Sequence, residues 1–155
     1  MNEPRTPVAE GGCQCGGVRY ALYVAPQAAH ACHCRMCQRA VGGAFALLAG
    51  APKADFAWTK GEPGVFASSN LATRAFCRDC GTPLSFSYNR EDARFYVTIG
   101  SLDDPNSVPI ERQFGIEGKW DWVEFCEDIA GEETAADEKT KAFYATMVSN
   151  QSRGD

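Results

Sequence analysis

Gly11-Gly12-Cys13-Gln14-Cys15-Gly16-Gly17-Val18-Arg19-Tyr20 sets two cysteines one residue apart between glycine pairs and then runs into alternating, β-prone residues. Cysteines this close in sequence rarely meet the Cα and Cβ separations of a relaxed disulfide. A tetrahedral ion, by contrast, gathers several sulfurs around one centre. The other cysteines repeat the theme: Cys32-x-Cys34-x-x-Cys37, Cys77-x-x-Cys80 and a single Cys126 make eight in 155 residues. Such spacing reads as metal binding by reduced thiols. If each cluster stays whole, Cys13 and Cys15 join Cys77 and Cys80 as four thiolates, and Cys32, Cys34 and Cys37 remain as three. Four thiolates close a zinc shell, the mark of a structural site, and tie residue 15 to residue 77. Three leave a fourth position for water or a substrate atom, the pattern of a catalytic zinc.

The triplet has a second reading, a structural zinc completed by His30, His33 or Cys126. His33 lies between two of the cysteines, and in an extended segment it points away from both. His30 and Cys126 stay open as fourth ligands. Cys126 also reads as a small buried hydrophobe. Three thiolates donate strongly and leave a poor Lewis acid and a poor activator of water. They still let the ion hold an incoming thiol in its nucleophilic thiolate form. The pattern therefore favours thiol chemistry over hydrolysis.

Outward from the cysteines, short β-prone runs dominate. Strands are expected at Val18 to Val24, Ala44 to Ala49, Asp55 to Thr59, Gly64 to Ser68, Thr73 to Phe76, Pro83 to Tyr88, Arg94 to Gly100 and Trp120 to Phe125. Ala31 to Ala40 is expected to bend around the triplet, and Asp103 to Asn106 to turn. Gly42-Gly43 reads as a turn or as room for a substrate beside the metal. Thr134 with Asp137 forms a helix-opening pattern ahead of a helix over Ala135 to Val148. The expected organisation is a flexible tail over 1–10, a mainly-β zinc domain over 11–126, and an acidic segment with a C-terminal helix or tail over 127–155.

The charge is 15 Lys and Arg against 20 Asp and Glu, a net of −5. No basic cluster stands out, which disfavours nucleic acid as a partner. No apolar run approaches membrane-spanning length, and Met1 to Glu10 lacks the basic-then-apolar pattern of a secretory signal. A cytoplasmic protein with no membrane partner is expected.

Three cysteine motifs with these flanks resemble the glutathione-dependent formaldehyde-activating (GFA) family, which includes the centromere protein V group. The opening motif is the stretch quoted first. The second is Cys32-His33-Cys34-Arg35-Met36-Cys37-Gln38, and the third is Phe76-Cys77-Arg78-Asp79-Cys80-Gly81-Thr82-Pro83-Leu84. A fourth, without cysteine, is Tyr96-Val97-Thr98-Ile99-Gly100-Ser101-Leu102-Asp103-Asp104-Pro105. The resemblance runs from about Gly11 to about Trp122. It implies a β-tent fold similar to that of methionine sulfoxide reductase B. It also implies a structural zinc on Cys13, Cys15, Cys77 and Cys80, and a catalytic zinc on Cys32, Cys34 and Cys37.

The reaction it implies is that of a carbon–sulfur lyase, the addition of glutathione or a similar thiol to formaldehyde or a related small aldehyde. Where many members carry a histidine before the final strand, this chain has Gln113-Phe114. An anionic thiol calls for cations, and Arg35, Arg39, Arg74 and Lys119 are candidates. The competing expectation is a non-catalytic zinc module for a protein or small-ligand partner. A sulfoxide reductase, suggested by fold analogy alone, would need a redox cysteine, and only Cys126 lies outside the motifs.

Overall fold

The β-prone runs assemble into two sheets, seen in a computed structural model that describes residues 5–90, 94–124, 137–146 and 148. In chain order the strands are β1 (Ala9–Gly12), β2 (Arg19–Leu22), β3 (Gln27–Cys32), β4 (Ala46–Pro52), β5 (Phe56–Lys60), β6 (Gly64–Ala67), β7 (Ala72–Phe76), β8 (Pro83–Tyr88), β9 (Arg94–Thr98) and β10 (Arg112–Phe114). Among the described residues one α-helix, α1 (Arg35–Val41), lies between strands, and another, α2 (Glu138–Tyr144), follows the last of them. A three-stranded sheet has the order β1-β2-β5, and a seven-stranded sheet the order β10-β3-β4-β9-β8-β7-β6. Every pairing is antiparallel except that of β10 with β3. The fold is thus mainly β, with a C-terminal helix.

An aromatic seam joins the sheets. Phe56 of β5 stacks on Phe95 of β9 with ring centroids 3.8 Å apart, and Tyr20 and Trp58 meet Phe56 edge-on or tilted. Tyr20, Leu22, Leu84 and Val97 are fully buried around this seam. The buried phenol of Tyr20 is matched by the hydroxyl of Ser101 at 2.8 Å, as a polar tip inside an apolar core requires. Phe45, Phe86 and Tyr96 are half-buried and flank the core instead of filling it.

Several boundaries differ from the sequence expectation. β1 begins at Ala9, inside the stretch read as a tail, and pairs with β2 from Ala9↔Leu22 to Gly12↔Arg19. The bend expected over Ala31 to Ala40 contains helix α1. Cys34 caps it, its sulfur accepting from the backbone N–H of Cys37, and Gly42 closes it at φ 67. Cysteine is not among the usual capping residues, so this start carries no sequence signal. Gly42 is its C-terminal stop.

The strand expected from Trp120 is absent over 120–124. β10 already occupies the free edge of β3, and Gly115, at φ 64, turns the chain out of the sheet. Trp120 and Trp122 stack instead, with centroids 5.4 Å apart, and Trp122 is exposed. Phe125 lies outside the described residues. Helix α2 opens on Asp137, whose carboxylate accepts from the Thr140 N–H at 2.9 Å, and it ends at Tyr144, short of Val148. Thr134, the other half of the expected opening pattern, lies outside the described residues.

Candidate metal centres

Two sulfur clusters form among the described residues, one of Cys13, Cys15, Cys77 and Cys80, the other of Cys32, Cys34 and Cys37. Within each, all sulfurs lie within 4.8 Å of one another. All seven are free thiols. Two facing loops build the first cluster. In one, Cys13 N–H bonds the Val18 carbonyl and Gly16 N–H returns to the Cys13 carbonyl; in the other, Cys77 N–H bonds the Thr82 carbonyl and Gly81 N–H returns to the Cys77 carbonyl. Gly16 and Gly81 sit at φ 74 and 77, the left-handed conformation that glycine adopts without steric cost. Thr82 links the loops: its hydroxyl accepts from Gln14 N–H at 3.0 Å and touches the Cys80 sulfur at 3.2 Å.

The donor set fits a tetrahedral soft cation. With Zn–S bonds of about 2.3 Å, a regular tetrahedron has sulfur–sulfur edges of about 3.8 Å. Cys15 and Cys77 are 3.8 Å apart, and Cys13 and Cys15 are 3.5 Å apart. Backbone N–H of Val18 also points at the Cys13 sulfur at 3.2 Å, a donor suited to a thiolate. Cys13 and Cys77 are buried and Cys15 is exposed.

The triplet is built on the junction of β3 and α1. Cys32 ends the strand, Cys34 caps the helix and Cys37 lies in its first turn. Cys32 and Cys34 are 3.5 Å apart. Arg74 of β7 donates to the Cys37 sulfur at 3.3 Å and to Ser68 Oγ at 3.1 Å, and its guanidinium lies 4.8 Å from the Phe86 ring centroid. Hydrogen bonding from Cys32 and then Arg74 holds the Cys37 thiol down to about 5, against the opposing effect of burial. Cys32 is pushed up by that same contact with Cys37 and then by burial.

A clamp of chain distant in sequence holds this junction. Gln38, 3% exposed, donates to the carbonyls of His33 and Gly118, both at 2.8 Å. Phe114 accepts from the backbone N–H of His33. A side chain at Gly115 would put its Cβ 2.9 Å from the Cys34 nitrogen, so the loop closes on the triplet only because it has none there. Neither histidine joins the sulfurs. His30 bonds the Ala28 carbonyl and packs between Tyr96 and Phe114. His33 is buried, with Nε2 on Gln113 Oε1 at 2.8 Å. Cys126 lies outside the described residues.

The four cations considered from sequence separate. Arg39 and Arg74 line a cleft of about 500 Å³ between α1 and strands β7 and β8. Arg35 turns back to Gln38 at 3.4 Å. Lys119 lies with Trp120 and Trp122 at a different, shallow site. Thr82, Gln38 and the contact of Arg74 with Cys37 were missed by sequence reasoning as parts of the site, although Gln38 and Thr82 stand inside the cysteine motifs. No helix among the described residues is long and apolar enough to cross a membrane.

The sequence pattern of the glutathione-dependent formaldehyde-activating enzyme family is matched over residues 8–116. An uncharacterized lyase of Schizosaccharomyces pombe is 25% identical over 120 residues, covering 77% of this chain and 87% of that protein. The fold is similar to a crystal structure of a Rhodobacter sphaeroides protein, with a TM-score of 0.54 and 23% identity, over 67% of this chain and 98% of that one.

Proposed function

Because the chain belongs to the glutathione-dependent formaldehyde-activating enzyme family, we propose that it is a zinc-dependent carbon–sulfur lyase. It adds a thiol, glutathione or a similar compound, to formaldehyde or a related small aldehyde, or runs the reverse. The observation that carries this reading is the inequality of the two clusters: one has four sulfurs and the other has three, beside a cleft. In this reading Cys13, Cys15, Cys77 and Cys80 hold a structural zinc, and Cys32, Cys34 and Cys37 hold the catalytic one.

Zinc bound at the triplet would supply a position that holds the incoming thiol as thiolate near neutral pH. The chain's own residues prepare that position. Arg74, donating to Cys37, offsets part of the negative charge that three thiolates bring together. Gln38 and the loop of Gly115 and Gly118 hold Cys34 against the β3–α1 junction, so the sulfurs keep their spacing as substrate enters. In the addition a C–S bond forms, the π pair of the aldehyde moves to its oxygen, and the proton given up by the thiol ends on that oxygen.

The test is exchange of formaldehyde with a thiol at equilibrium, followed by NMR with glutathione and with 3-mercaptopropionate. Wild type is compared with Cys34→Ala and with no protein. Faster exchange with wild type alone supports the lyase. Equal rates in all three remove it and leave the zinc-binding module.

A further inference from the structure

The cleft beside the triplet has a composition that bears on which thiol it would take. It is the size of a small-molecule site, and Arg74 forms part of its wall while touching the Cys37 sulfur. Whatever fills it thus lies one guanidinium away from the Cys37 sulfur. Its other walls are largely apolar, with Met36, Val41, Phe66, Phe76 and Pro83. Met36 and Phe66 are 56% and 62% exposed, so the rim offers apolar surface to a ligand.

The polar groups of the cleft are few and mostly committed. Ser68 already accepts from Arg74, and the Thr98 hydroxyl donates to the Pro83 carbonyl at 2.7 Å. The charge is one-sided. Arg39 and Arg74 are present and no Asp or Glu lines the cleft, although acids outnumber bases in the chain. Among the described residues Arg39 makes no ion pair, and Arg74 keeps Nη1 without a partner. Glutathione brings two carboxylates that Arg39 and Arg74 would suit, but also an ammonium group and two peptide bonds. The cleft has no acid for the ammonium group, and beyond the arginines only the Ser68 and Ser85 hydroxyls to meet the two peptide bonds, and buried polar groups left unmatched weaken binding.

Resting on the lyase reading, we propose that this cleft holds the body of the thiol substrate, and that the substrate is an apolar mercapto acid. Its hydrocarbon part would pack on Val41, Phe66 and Phe76, and its carboxylate would pair with Arg39 and the free edge of Arg74. A hydrophilic peptide thiol is the poorer ligand.

The test uses probes without a thiol, so that it reads the cleft and not the metal. Zinc-loaded, isotope-labelled full chain is titrated with 3-phenylpropionate, 3-phenylpropanamide and S-methylglutathione, followed by amide chemical shifts. The expected result is saturable shifts in Met36 to Val41 and Arg74 to Phe76 with 3-phenylpropionate, at least tenfold tighter than either other probe. Arg39→Gln is exposed and should weaken that binding about fivefold. Phe66→Glu, also exposed, should weaken it further by placing an acid at the rim. Equal binding of acid and amide, tighter binding of S-methylglutathione, or an affinity unmoved by both substitutions would overturn the inference. Selective binding without thiol–formaldehyde exchange removes the lyase reading while leaving the acid preference of the cleft. Exchange without selective binding removes this inference alone.

Discussion

If the four-sulfur cluster holds zinc, its main energetic role is to cross-link the chain, and Cys15 is the place to measure it. Cys15 is exposed, so Cys15→Ser removes a ligand without opening a cavity. The link it makes to Cys77 spans 62 residues. Treated like a covalent cross-link of that loop length, the constraint on the unfolded chain is worth about 4 kcal/mol. Against a total stability of about 5–15 kcal/mol, that is a large share. With a urea dependence of about 2 kcal/mol per molar, the unfolding midpoint should fall by about 2 M. The assay is urea unfolding of wild type and Cys15→Ser, each with and without a zinc chelator, with zinc content measured on the same samples. Chelation, which strips the triplet as well, should destabilise wild type by at least as much as the substitution, and should cost the variant clearly less than it costs wild type. The reasoning is refuted if the variant keeps both its midpoint and its zinc, or if chelation costs the variant as much as it costs wild type.

Zinc binding should release protons near neutral pH. Cys32 is held protonated by its contact with Cys37 and then by burial; Cys15 is pushed up to about 12 by hydrogen bonding to Cys13 and Cys80, although the Gly17 backbone opposes it. The ion must displace these protons, so affinity should rise with pH, and calorimetric zinc titrations should differ between buffers of different ionisation enthalpy; identical heats would count against it. Arg19 holds the Asp103 carboxyl below the usual carboxylate range through a two-point pair. Because the folded-state value is the depressed one, the pair stabilises above the ordinary aspartate range and its effect is lost as pH falls through the folded value. Asp103→Asn should therefore cost under about 1 kcal/mol at pH 7, since the carboxylate is 48% exposed. The thermal midpoints of variant and wild type should converge in acid. Gly115→Ala should strain the loop at the triplet by about 1–2 kcal/mol and push the Cys34 backbone. Competition with a chromophoric chelator should then show the second zinc weakened and the first unchanged.

Much of the fold was legible. Pro83 to Tyr88 and Arg94 to Gly100 read as strands because alternation and β-branched or aromatic residues are local properties, and the second strand ends at Thr98, where a tight turn over Ile99–Ser101 takes over. β3 and β10 were not, for different reasons. β3 is Gln-Ala-Ala-His-Ala-Cys, whose residues carry little strand preference. It is held between β4 and β10 by its neighbours. β10 is three residues long, and its parallel pairing with β3 depends on a return from far along the chain. The strand expected at Trp120 to Phe125 shows the opposite error: the alternation over 120–124 forms no strand, because Gly115 has already turned the chain out of the sheet beyond β10.

The sequence by itself determined how the cysteines group. Each cluster is only a few residues long, so its sulfurs cannot separate far, and only a few pairings of whole clusters exist. The structure brings the same four and the same three together. Tertiary structure decided everything around them. Arg74 reaches Cys37 across 37 residues, Gln38 reaches Gly118 across 80, and Gln14 reaches Thr82 across 68. Those contacts follow from strand register and loop closure, which place residues by the packing of the whole chain. The charge of the cleft was unreadable for the same reason: Arg39 and Arg74 lie on different elements, and only the tertiary arrangement that sets α1 across the cleft from β7 brings them to one site.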